Sequence, residues 1–102
     1  MIHVTLRRKN QRIYVLKVTG HALSAPYGED LVCAGVSAIA TGGANALKPQ
    51  GIRIHLSEGL ADFQVDNLEE MSHQHVLEIL WIQLKTIQAS YSQFISIKEQ
   101  ED

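Results

Sequence analysis

Ile2, Val4 and Leu6 alternate with His3 and Thr5, the period of a strand with one buried face. A polar run over residues 7–12 then reads as a turn, and Ile13–Val18 is rich enough in β-branched and apolar residues for a second strand. Gly20-His21 ends that hairpin. Residues 22–29 hold Ser24, Pro26 and Gly28, which punctuate structure, so a loop is predicted there. Asp30 is placed to cap a helix over about residues 31–47. Gly35, Gly42 and Gly43 each weaken that helix by roughly 1 kcal/mol relative to Ala, a cost that makes sense where its backbone approaches another element closely. After Lys48-Pro49-Gln50-Gly51, the alternations Ile52/Ile54/Leu56 and Ala61/Phe63/Val65 flank Glu58-Gly59 and predict a second hairpin. Leu77, Leu80, Trp81, Leu84, Ile87 and Tyr91 recur at spacings of three and four, predicting a helix over about residues 69–91. Phe94–Lys98 reads as a last short strand. The expected fold is α+β: a two-layer α/β sandwich in ββαββα(β) order, with two helices on a mostly antiparallel sheet.

Composition narrows the class. With 102 residues, 45% hydrophobic and a net charge of −2, the chain fits one ordered domain over residues 1–102. Its single cysteine excludes an internal disulfide and an all-cysteine metal site. A secreted domain of this size usually carries paired cysteines, so a reducing cytoplasm is the expected location. Met1 to Lys9 shows no charged region followed by an apolar run, so no signal peptide is expected. Leu31–Leu47 has no charge, but it is built from small residues and falls short of the roughly 20 apolar residues of a membrane span. No membrane partner is expected.

Charge is unevenly spread. Residues 1–28 carry Arg7, Arg8, Lys9, Arg12 and Lys17 and no acid; the rest holds four bases and all eleven acids. The basic group at residues 7–12 is either a solvated hairpin tip or a surface for phosphate or an acidic partner. Val76, Ile79 and Ile82 lie largely outside the main stripe of the second helix, a surplus apolar face that points to self-association.

Candidate chemistry centres on Cys33, in the first turn of the helix that Asp30 caps. Unpaired N–H groups and the positive end of the helix dipole favour a thiolate there. The same amides suit the oxyanion of an acyl-transfer intermediate. His21 ends a strand twelve residues earlier, with a loop long enough to fold back. A Cys–His pair of this kind has the parts of an activated nucleophile and its base. Each residue taken alone also fits a plainer role, the cysteine as a small buried hydrophobe and the histidine as a polar loop residue.

The neighbouring residues tip that balance. Gly20-His21-Ala22, then Tyr27-Gly28-Glu29-Asp30-Leu31-Val32-Cys33-Ala34-Gly35-Val36-Ser37, with Asn45-Ala46-Leu47 further on, resemble the ribosomal-processing cysteine protease Prp family. The resemblance spans nearly the whole chain, leaving out residues 8–12 and the Glu99–Asp102 tail. It implies a cytoplasmic homodimeric thiol protease of ribosome biogenesis, with no metal or organic cofactor. Its expected substrate is the precursor of large-subunit ribosomal protein L-twenty-seven, cut after a Phe-containing hydrophobic motif at the end of an N-terminal extension. The family nucleophile maps onto Cys33 and the base onto His21, and the stretch 22–29 is expected to order around substrate. Gly20, Gly28, Asp30, Ala34 and Ser37 are candidate supporting or substrate-binding residues. Asp30 serves as a helix cap in preference to a third catalytic member, and Gly20 and Gly28 serve the backbone by close approach or positive φ.

Other candidates are weaker. His73 and His75 are two apart and diverge on a helix, so they cannot share a metal as an i, i+4 pair would. Gly42-Gly43-Ala44-Asn45 lacks the Gly-Lys-Ser/Thr ending of a phosphate-binding loop. A rival of a different class keeps Cys33 buried and inert. In it the chain is a non-catalytic ribosome-associated binding module using the basic residues 7–12 and the apolar helix face.

Overall fold

The structure, a computed structural model, describes residues 1–23, 25–26 and 30–102. The elements run β1 (Ile2–Lys9), β2 (Arg12–Gly20), α1 (Leu31–Ala46), β3 (Ile52–Ser57), β4 (Leu60–Val65), α2 (Met71–Ser90) and β5 (Ile95–Glu101). This is the predicted order with the terminal strand present. The sheet order is β3-β4-β2-β1-β5. Three pairings are antiparallel and the fourth, β1 with β5, is parallel, so the sheet is mixed.

Alternation sends Ile2, Val4, Leu6, Leu16, Val18, Ala61, Phe63 and Val65 to one face of the sheet, where both helices cover them. From α1 come Val32, Val36 and Ala40, and from α2 Leu77, Leu80, Trp81 and Leu84. The two helices also pack on each other, and Gly43 shows how closely: a Cβ there would stand 2.4 Å from Leu80 Cδ1. Gly35 is similar but looser, 3.3 Å from Ile87 Cδ1, whereas Gly42 faces open space. Close approach therefore accounts for two of the three helical glycines.

The polar run at 7–12 is not a turn over its whole length. Only Asn10 and Gln11 form the turn, both at positive φ, and the strands continue through Arg7, Arg8 and Lys9. A bulge between Arg7 and Arg8 leaves Tyr14 out of register and breaks the alternation that sequence patterning relies on. Beyond it Gln74, buried on α2, donates to Ile13 O at 2.9 Å and accepts from Ile13 N–H at 2.8 Å.

The three arginines of the basic hairpin are paired within the chain. Arg8 meets Glu78 and Glu99, both at 2.7 Å; Arg7 meets Asp102 at 2.9 Å and Arg12 meets Glu69 at 2.8 Å. Tyr14 also bonds Asp102 through its hydroxyl. β5 thus brings the acidic tail alongside the basic hairpin.

On α2, Val76 packs against the core, while Ile79 and Ile82 remain more than half exposed. Among the described residues, no helix is long and apolar enough to cross a membrane.

Candidate active site

β2 ends in a conformation only glycine takes without strain. Gly20 has φ +91°, and a Cβ there would lie 2.4 Å from the Met1 carbonyl oxygen. The chain therefore leaves the sheet at His21, whose carbonyl accepts from the Met1 nitrogen at 2.6 Å. The imidazole is exposed, and Ala22 behind it is buried.

Asp30 caps α1 as the sequence predicts, its Oδ1 accepting from Cys33 N–H at 3.0 Å. Cys33 is half-buried in the first turn and free of any disulfide. Its Sγ accepts a hydrogen bond from Ala22 N–H at 3.1 Å. That bond ties the sulfur to the residue that follows His21. Two segments twelve residues apart in sequence are thereby brought together at one point.

Both side chains line one open cleft of about 640 Å³. Along α1, Cys33, Ser37 and Thr41 recur every four residues and face it, beside the stripe of Val32, Val36 and Ala40 that enters the core. Ala34 and Gly20 also border the cleft. The opposite wall is the β3–β4 turn with Leu56 and Leu60. Leu56, expected as a buried position of β3, is 41% exposed, on an edge strand and in the wall of this cleft. The cleft is therefore largely apolar, with the thiol, Ser37 hydroxyl and Asp30 carboxylate on the α1 side and the imidazole against the β3–β4 turn. A narrow set of polar groups in an apolar groove is the usual make-up of a site for an extended ligand.

The expected oxyanion donors are only partly in place. Cys33 N–H is taken by the Asp30 side chain, and Ala34 N–H by the Asp30 carbonyl at 2.9 Å. The amide aimed at the sulfur instead belongs to Ala22, a donor that motif reasoning on the helix alone did not single out. Leu23 was missed as well: it borders the cleft with φ +56° and its side chain 78% exposed. Tyr27, Gly28 and Glu29 lie outside the described residues, and with them the expectations for Gly28 and for closure of the loop.

The remaining histidines sit elsewhere. His73 is buried and bonds the Lys48 carbonyl at 3.1 Å through Nε2, His75 is exposed, and His3 bonds Ser96. Among the described residues, no group of three or more His, Cys, Asp or Glu side chains is arranged to hold a metal ion.

The family model described as "Cysteine protease Prp" matches residues 1–96. The ribosomal processing cysteine protease Prp of Mycoplasma pneumoniae is 33% identical over 86 residues, 83% of this chain and 86% of that protein. The protein of the same name from Bacillus subtilis is 48% identical over a shorter segment of 48 residues, 46% of this chain and 43% of that one. Among solved structures, the ribosomal processing protease Prp from S. aureus, in complex with a covalently linked product peptide, superposes with a TM-score of 0.90 at 27% identity. That match covers 97% of this chain and 99% of that one. A second structure of the S. aureus protein, with a substrate peptide, gives 0.83 at 26% identity over the same shares. With the Gly-His-Ala and helix-start motifs meeting in one cleft, and with these matches across nearly its whole length, the chain belongs to the cysteine protease Prp family.

Proposed function

We propose that residues 1–102 form a single cysteine endopeptidase domain that removes the N-terminal extension of the ribosomal protein L-twenty-seven precursor. In this reading it works in the cytoplasm as a homodimer. The observation that carries the assignment is the bond from Ala22 N–H to Cys33 Sγ, which joins the His21 segment to the start of α1 beside an apolar cleft. Leu56, Leu60, Val36 and Ala40 suit a hydrophobic stretch of substrate. The S. aureus relative, of the same fold and solved with a substrate peptide and with a covalently linked product peptide, supports peptide chemistry. The exposed Ile79 and Ile82 support self-association.

The steps follow from the residue types. His21 takes the thiol proton of Cys33, and Sγ attacks the scissile carbonyl carbon. The negative charge that develops on oxygen is met by backbone N–H groups, and Ala22 N–H, which faces Sγ at 3.1 Å, is the candidate donor. As the carbon–nitrogen bond breaks, His21 gives its proton to the leaving amine. Water then attacks the thioester, His21 accepts its proton, and the carboxylate product leaves as Sγ is released. Asp30 holds the first turn of α1, and Gly20 lets β2 end where His21 is needed.

The test is incubation with the precursor, comparing wild type with Cys33→Ala. Wild type is expected to shorten the precursor at its hydrophobic motif and the variant to leave it intact. An intact precursor with wild-type protein overturns the substrate assignment, and undiminished cleavage by Cys33→Ala overturns the nucleophile. The basic hairpin gives the binding-module reading little support, since Arg7, Arg8 and Arg12 are already paired inside the chain.

A further inference from the structure

Gly59 meets His21 from outside the motifs that carry the chemistry. It is the second residue of the two-residue turn between β3 and β4, and its φ is +72°. Its carbonyl accepts from Gly20 N–H at 2.9 Å, so the turn is fastened to the residue just before His21. The imidazole lies directly over it. A Cβ at position 59 would stand 3.0 Å from Nε2, 3.5 Å from Cε1 and 3.7 Å from Cδ2 of His21. The first of these distances is shorter than ordinary van der Waals contact, and it falls on one of the two ring nitrogens.

We propose that Gly59 is a positioning residue for the catalytic base: its bare Cα is the seat on which the His21 ring is set. The proposal deepens the reading of His21 as that base and rests on it. The direction of the effect follows from burial. His21 is exposed on its other side, so a methyl group at 59 pushes the ring away with little resistance from the core. The consequence falls on the geometry of proton transfer, where small misplacements are expensive, and not on packing. Ser57 pairs with Leu60 across the turn, so the hairpin that presents Gly59 is itself held in register.

Two substitutions separate this role from simple turn strain. Ala at 59 adds a Cβ and is also disfavoured at positive φ, whereas Asn adds the same Cβ but tolerates that conformation far better. Gly59→Ala and Gly59→Asn are made in the full chain. The readouts are kcat and KM on a peptide spanning the precursor's cleavage site, melting temperature, and the pH profile of Cys33 alkylation by iodoacetamide. Both variants are expected to lose about fivefold or more in kcat, since the ring must give by a few tenths of an ångström and a misplacement near 1 Å costs up to about 10²-fold. The loss is expected to fall more heavily on kcat than on KM, because it acts through the chemical step. Their alkylation profiles are expected to shift toward that of His21→Ala, with Asn melting higher than Ala.

Wild-type kcat and a wild-type alkylation profile in Gly59→Asn overturn the proposal. So does a parallel recovery of melting temperature and kcat from Ala to Asn, which assigns the loss to the turn. His21→Ala separates the two levels. If it cleaves like wild type, the base itself is misassigned and the positioning role falls with it. If it is inactive while Gly59→Asn is fully active, the base stands and only the positioning role is overturned.

Discussion

The two ends of strand β2 are built on opposite principles. At Arg12 the hairpin is closed by charge: Arg7, Arg8 and Arg12 all meet acids supplied by α2, β5 or residues near them, and Gln74 clamps Ile13 from below. At Gly20 the strand opens into a cleft lined by small and apolar residues, with His21 and Leu23 exposed. The end richest in charge holds the fold together. The end with the fewest charges holds the chemistry, because a site needs room for substrate and groups whose bonding is not already complete. Substitutions at the two ends should therefore separate into losses of activity and losses of stability.

The largest effect is expected at the open end. His21→Ala should lower the rate of precursor cleavage by about 10²- to 10⁴-fold, the range for a positioned general base. Its melting temperature should stay close to wild type, since the ring is exposed. Initial rates together with a thermal scan check both parts. A variant that melts far lower at unchanged specific activity would reverse the division between the two ends.

Next in size is Arg8→Ala at the closed end. The Arg8 side chain is only 14% exposed, whereas Glu78 and Glu99 are 41% and 48% exposed. Removal of the arginine leaves both carboxylates access to water, so the loss falls below that of a fully buried pair, at about 1–2 kcal/mol. Urea titration should show it, with kcat unchanged.

A pH dependence follows from the same pair. The hydrogen bond from Arg8, set against partial burial, holds the Glu78 carboxyl below its ordinary value of 4.5. A carboxyl depressed in the folded state binds its proton more readily when unfolded. Its stabilising contribution is therefore present above that ordinary value and fades as the pH falls through the lower folded one. Wild type should lose stability on acidification below about pH 4.5 more steeply than Arg8→Ala. Parallel slopes in the two proteins would show that Glu78 does not carry the acid response.

This division also explains what the sequence disclosed. Alternation through Ile2, Val4 and Leu6 was plain, and it failed at Arg7–Lys9 because a bulge resets the register there. The partners that keep those bases in a strand lie about 70 and 90 residues away at Glu78, Glu99 and Asp102, beyond the reach of any local pattern. The β5 strand was visible as an apolar run, but its parallel pairing with β1 depends on where α2 returns the chain. At the site, Asp30 and Cys33 were legible because a helix start has a local grammar. The contact of Gly59 with His21 was not, since Glu58-Gly59 reads simply as a turn and nothing local shows what lies over it. Gly43 stands between these cases: its small size announced a close approach, and only the packed helices identify Leu80 as the neighbour.

The smallest effect is expected at Arg53, and it tests whether burial or mere pairing gives the closed end its strength. Arg53 makes two hydrogen bonds to Asp66, at 3.0 and 3.1 Å, a fork like the one Arg8 makes on Glu78. Its side chain is 69% exposed and that of Asp66 52%, however, so water and salt screen the attraction and both groups are well solvated when apart. Asp66 does raise the proton affinity of the Arg53 guanidinium. An arginine stays protonated over the whole range in which proteins fold, so that shift adds no pH dependence of stability. Arg53→Ala should match wild type in urea midpoint, in acid response and in cleavage rate. A loss of stability as large as that of Arg8→Ala would mean that the forked pairing itself, and not exclusion from water, is what strengthens the closed end of the hairpin.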